Sequence, residues 1–303
     1  MVDRSVNHLA AALLVVAACS SSSTEPGGSP VPPVPPAPPT FKPTAFAVQV
    51  SGAGRPVIFI PGLASAGDVW DGTVAHLGGK VQTHVLTLAG FAGQPAVPGP
   101  FFAQVHDQIA QYIVANHLDH PIIVGHSLGG VMSLWLAETE PNLGGIVDVE
   151  GLPFLGAVMD PSATAASTTA AMQPMHDQMA AMTPAELAVQ MKQFLASMIT
   201  KPADLERVAA ESGRSDPRAY ADAFFEMMGK DLRPDLAKIT APVTIIAATE
   251  GGAPRAMMEA AWKAQVAPIK GLDLQFVDHA KHFVMLDQPE AFYVLLDKAL
   301  ARK

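Results

Sequence analysis

The run Pro121-Ile122-Ile123-Val124-Gly125-His126-Ser127-Leu128-Gly129-Gly130 constrains this chain more than any other stretch. A short apolar segment ends abruptly in glycine, a polar pair and two further glycines, and Val131 to Leu136 then reads as a helix. The pattern is strand, sharp turn, helix, with one serine at the apex. Such a turn drives Ser127 into a strained backbone conformation. Gly125 and Gly129 are expected beside it because larger residues would collide. The plainer reading is a glycine-flanked serine that merely ends a strand. The strand before and the helix after favour an exposed, reactive hydroxyl.

Around this turn the chain alternates strands and helices. Phe46 to Val50 opens, and Val57 to Ile60 is apolar throughout, as in a strand buried on both faces of a parallel sheet. Val81 to Leu88 is the next strand. Phe102 to Asn116 carries Val105, Ile109, Tyr112 and Ile113 at helical spacing. Gly145 to Gly151, Pro242 to Ala248 and Leu272 to Val277 supply the later strands, and a closing helix starts at Gln288 or Pro289. At 303 residues and 49% apolar content the chain has ample material for a large core.

At Pro61-Gly62-Leu63-Ala64-Ser65, with Gly125-His126-Ser127-Leu128-Gly129 downstream, the chain resembles the α/β-hydrolases over residues 46–303. The resemblance implies an α/β fold, a mostly parallel central sheet flanked by helices with a helical cap insertion. It makes Ser127 the nucleophile and the backbone N–H groups of Leu63 and Leu128 the oxyanion donors. Family members often carry His-Gly where this chain has Pro61-Gly62.

A serine hydroxyl needs a base within reach, and a histidine titrates near neutrality. His279 and His282 follow the last strand. The motif His282-Phe283-Val284-Met285-Leu286-Asp287-Gln288-Pro289 resembles the family's base loop, so His282 is assigned as the base. His279 reads as capping a turn, and His126 is expected to point away from the site. The acid stays open between two carboxylates. Most relatives place an Asp after the strand that here ends at Ala248, but the sequence there is Thr249-Glu250-Gly251-Gly252, and Gly251 falls in that register. Haloalkane dehalogenases and some other relatives place the acid after the strand that follows the elbow helix, which here is Glu150. Glu150 is favoured over Glu250, with Asp148 third. The plain reading of Glu150 is a strand-end carboxylate holding backbone amides.

Residues 152–235 break the alternation and resemble the family's helical cap, with at least three helix candidates. Met172, Met175, Met179 and Met182 fall on one helix face, Thr183-Pro184-Ala185-Glu186 reads as a capping box, and Ser215-Asp216-Pro217 starts another helix. Methionines there are expected to pack mostly against the main domain, some lining an adaptable apolar pocket.

The N-terminus is organised differently. Leu9 to Ala18 is ten apolar residues, too short to span a bilayer and suited to a secretory signal over residues 1–18. Val16-Ala17-Ala18-Cys19 resembles the lipobox of bacterial lipoproteins, in which the cysteine is lipidated. The alternatives are an ordinary cleaved signal and a buried thiol. Residues 19–43 are serine-rich and then proline-dense, a spacer favouring extended polyproline II at about 3.1 Å per residue. The hydrolase domain is expected over residues 44–303. With Ser20 after the cysteine, the resemblance implies an outer-membrane or secreted protein of the bacterial cell envelope.

A net charge of −9 without a basic cluster argues against nucleic acid as a partner. Cys19 is the sole cysteine, which rules out an intramolecular disulfide and thiol-ligated zinc. His279 and His282 lack a matching ligand set, so no metal and no cofactor are expected. The resulting expectation is a serine hydrolase cleaving hydrophobic or medium-chain acyl esters or lactones. The alternatives are thioesterase, carbon–carbon hydrolase or cofactor-free perhydrolase chemistry, and a non-catalytic surface binding lipoprotein. Fold alone does not choose among them. An Asp at the elbow would signal a dehalogenase, and this chain has Ser127.

Overall fold

The computed structural model describes residues 41–250, 252 and 254–302. The expected signal at residues 1–18, Cys19, the spacer as far as residue 40 and the Gly251 register position lie outside the described residues. Among the described residues, seven strands form one sheet: β1 (Phe46–Ser51), β2 (Pro56–Ile60), β3 (Gln82–Leu88), β4 (Ile122–His126), β5 (Gly145–Val149), β6 (Val243–Ala248) and β7 (Asp273–Val277). Their order is β1-β3-β2-β4-β5-β6-β7. β1 runs antiparallel to β3, and the other pairings are parallel.

Continuous apolar runs become the central strands because both faces are covered. β2, β4 and β5 are buried at every position. Strand alternation sorts the side chains into two cores. Ile58, Ile60, Ile123 and Ile146 pack on one side with α2 (Phe101–Ala115) and α3 (Leu128–Thr139), which follow α1 (Asp71–Leu77) in the chain. Val57, Phe59, Val124 and Val149 pack on the other with Leu77 of α1 and with Phe292 and Leu296 near the C-terminus. Each such side chain contributes about 1.5–3 kcal/mol on full burial, before chain entropy is counted.

The chain winds outward from β2 to β3 and then returns to place β4 on the other side of β2. That reversal is a topological switch point, where loops at the strands' carboxyl ends part and leave a crevice. The loop after β2 carries Leu63 and the turn after β4 carries Ser127, so the strand order itself puts them at the crevice.

Between β5 and β6 lie α4 (Gly156–Met159), α5 (Ala165–Ala180), α6 (Pro184–Ala196), α7 (Pro202–Ser212) and α8 (Pro217–Gly229). The capping box at Thr183 and Glu186 is formed in both directions, and Asp216 caps α8 through the Ala219 N–H. The run of methionines on α5 behaves differently from the sequence expectation. Met179 is buried, Met175 is exposed and the helix ends before Met182. The buried side of α5 is instead Thr168, His176 and Met179. α7 was not anticipated from the sequence: Pro202 opens it and Asp204 lies in its first turn, but Lys201 makes no side-chain cap. After β6 come α9 (Arg255–Val266), α10 (Val284–Asp287) and α11 (Pro289–Leu300).

Candidate active site

The turn after β4 has no spare room. Ser127 sits at φ 55°, ψ −115°, outside ordinary strand and helix conformations. A methyl group added at Gly125 would strike the Gly129 carbonyl, and one added at Gly129 would strike that of Ile60. These glycines are required by space. The apex is held by two backbone bonds: Ser127 N–H donates to Val149 O at 2.8 Å, and Val131 N–H donates to Ser127 O at 3.0 Å. The hydroxyl therefore stands at the start of α3, facing the crevice.

The loop after β2 closes as a turn, with Ser65 N–H donating to Gly62 O at 3.1 Å and Ala64 at φ 58°. A Cβ at Gly62 would lie 3.3 Å from Ser127 Cβ and 2.9 Å from His126 Nδ1, so this backbone passes directly beside the serine. Among the described residues, the Leu63 and Leu128 N–H groups donate to no protein acceptor. Unengaged amides at a helix N-terminus and an adjoining turn can receive a negative oxygen.

The carboxylates separate cleanly. Glu150, at φ 62° just past β5, accepts the Ala248 N–H at 2.7 Å through Oε1 and His282 Nδ1 at 3.1 Å through Oε2. Its side chain is 12% exposed and that of His282 23%, so the pair is shielded. Glu250 meets His279 Nδ1 at 3.2 Å, with the two side chains 49% and 84% exposed. Asp148 is fully buried beneath α3, where Oδ1 accepts the Gly151 N–H at 2.8 Å and Oδ2 has no partner. Burial pushes its carboxyl well above the usual range, which disfavours its charged form. Of the three carboxylates weighed, the structure brings Glu150 to His282.

Ser127 and His282 wall the same cavity, without a direct hydrogen bond between their side chains. Bonds of this type are often long until substrate docks. With Nδ1–H given to Glu150, His282 keeps Nε2 as its proton acceptor. His126 differs from expectation: its ring lies 4.8 Å from that of His282 and 4.4 Å from Phe283. Its Nε2–H donates to the His282 carbonyl at 3.0 Å, and burial, then the neighbouring His282 ring, keeps it neutral. His126 thus braces the base loop from below.

Sequence reasoning missed Asp287. Its carboxylate accepts the Thr200 N–H and hydroxyl and the Lys281 N–H, each at 2.9 Å, pinning the His282 loop to the connection after α6. The signal was present in the Asp287-Gln288-Pro289 motif, but its partner is 87 residues away.

The cavity holds about 600 Å³ and is walled largely by apolar groups, among them Leu155, Phe194, Phe224 and Trp262. Its methionines come from α6, the segment after it, α8 and α9 (Met191, Met198, Met227, Met228 and Met258), and none from α5. A hydroxyl on a strained turn, a carboxylate-held imidazole and two free amides beside a largely apolar cavity can perform nucleophilic acyl transfer.

Comparison with known proteins agrees with this architecture. A family model described as "Alpha/beta hydrolase family" matches residues 57–294. The pimeloyl-(acyl-carrier protein) methyl ester esterase of Vibrio atlanticus is 30% identical over 114 residues, 37% of this chain and 43% of that protein. The chain spans about two fifths of the length of the curated relatives it matches. A hydrolase from Pseudomonas aeruginosa superposes with TM-score 0.71 at 20% identity, covering 84% of this chain and 94% of that one. A thermophilic esterase from Thermogutta terrifontis gives TM-score 0.70 at 17% identity, covering 84% and 92%.

Proposed function

This chain belongs to the alpha/beta hydrolase family, and from that premise we propose that it is a serine hydrolase of carboxylic esters working through an acyl-enzyme. The observation that carries the reading is the Glu150–His282 bond at 3.1 Å in the cavity that also holds Ser127. His282 Nε2 takes the Ser127 proton as Oγ bonds to the acyl carbon. The Leu63 and Leu128 amides hold the resulting oxyanion, each such donor being worth about 3–4 kcal/mol of transition-state stabilisation. Collapse of the tetrahedral adduct breaks the bond to the leaving alkoxide, which takes the proton from His282. Water, deprotonated by the same nitrogen, then frees the acid and restores Ser127.

The helices between β5 and β6 serve as a cap over this site, and their apolar contribution to the cavity favours hydrophobic or medium-chain acyl esters or lactones. Labelling of the full chain by a fluorophosphonate tests the reading. The expected result is one adduct, on Ser127, absent from Ser127→Ala, with hydrolysis of a chain-length series of esters lost on labelling. An unlabelled Ser127 would instead support a binding module. As a second part of the proposal, Cys19 carries a lipid that anchors the domain to the cell envelope across the proline-dense spacer, each buried methylene adding about 0.8 kcal/mol. Cys19→Ala should then release the protein from the membrane fraction, and unchanged fractionation would refute the anchor.

A further inference from the structure

Resting on the ester-hydrolase reading above, we infer that the site takes uncharged acyl chains and turns away esters whose chain carries a free carboxylate. The argument is the charge inventory of the cavity. Among the described residues that wall it there is no lysine and no arginine. Its two carboxylates are Glu150 and Glu250. Glu150 is committed to His282 and the Ala248 amide, and Glu250 meets the exposed His279 at the wall. The remaining imidazole, His126, is fully buried and spends its Nε2–H on the His282 carbonyl.

Arg255, at the start of α9, pairs with Glu259 and Asp278. The positive end of α3 also faces the crevice, but its free amide is the one a scissile carbonyl oxygen would occupy. A distal carboxylate drawn in along Leu152, Leu155 and Trp262 would lose water and find no counter-charge. Burying an unpaired charge is the most costly kind of burial. An uncharged chain of the same length instead gains from apolar contact. The Tyr220 hydroxyl at the wall carries no charge, since burial raises its pKa to about 12. It can serve a neutral oxygen in the chain; it cannot neutralise an anion.

A matched pair of substrates tests this on the full chain: dimethyl octanedioate and its monomethyl half-ester at pH 7. The two share length and scissile group, and six methylenes insulate the ester from the distal charge. The diester is expected to show kcat/KM about 100-fold or more above the half-ester, beyond the twofold owed to its two ends, with the loss residing in KM. A ratio within about tenfold would overturn the charge inference while leaving ester hydrolysis intact. Failure to cleave either ester, or methyl octanoate, would overturn the hydrolase reading itself and this inference with it.

Discussion

The carboxyl edge of β2, β4 and β5 and the helices between β5 and β6 are built on opposite principles. At the sheet edge no atom can be added: Gly125, Gly129 and Gly130 each abut backbone or a carboxyl group. The helical segment contributes Met191, Met198, Met227 and Met228 to the cavity and leaves Val189 60% and Met175 47% exposed. It is held by caps and by polar clasps such as His176, bonded to Asp177 at 2.9 Å and Asp222 at 2.8 Å. Close packing fixes positions to fractions of an ångström, whereas thioethers adapt to irregular shapes. The difference teaches that rigidity is placed beside Ser127 and adaptability in the rest of the cavity wall.

Substitutions can break this contrast, and the largest effect belongs to the apex. Ser127→Ala should lower kcat/KM by about 10⁴-fold or more at unchanged fold, measured by ester hydrolysis alongside circular dichroism. Glu150→Gln comes next, at about 10²–10⁴-fold in kcat, whereas Glu250→Gln should stay within about threefold. If the two glutamines had equal effects, the contact between Glu150 and His282 would not be the functional one. On stability, Gly129→Ala should cost about 2–4 kcal/mol in denaturant titration, because neither carbonyl it meets can retreat. Met191→Leu should cost under about 1.5 kcal/mol and mainly alter the chain-length profile.

A smaller effect sharpens the picture beneath α3. Burial raises the Asp148 carboxyl well above its ordinary value, so the folded state binds a proton that the unfolded chain releases near pH 4. Stability associated with this group is therefore complete at low pH and is lost as pH rises toward the raised folded value. Asp148→Asn keeps the acceptor for the Gly151 amide and removes the titration. Thermal midpoints of variant and parent should diverge in the variant's favour from pH 5 to pH 8. Parallel midpoints across that range would show that Asp148 does not titrate on unfolding.

Much of the site was legible because its signals are local. The serine turn, the Thr183 capping box and the Asp216 cap each involve residues within four positions of one another. The base loop was legible through its motif, and His282 does lie with Glu150. Other features had no such signal. The α5 methionines share a helical face on paper, yet the helix ends at Ala180, before Met182, and of the rest Met179 is buried, clustered with Tyr220 and Ala221 of α8, while Met175 is exposed. His126 was expected to point away from the site on the geometry of the elbow. The loop carrying Phe283 wraps beneath the strand end and takes up its ring.

Taken alone, the sequence determined where the strands and most of the helices lie and which serine occupies the strained turn. Those outcomes depend on sterics and capping between near neighbours. Tertiary structure decided which glutamate meets the imidazole. Pairing β5 between β4 and β6 brings Glu150 to a histidine 132 residues away, while Glu250, one strand further out, is left facing His279 at the surface. That choice rests on strand order and on which loop closes over which strand end, and neither is encoded in the residues adjoining either carboxylate.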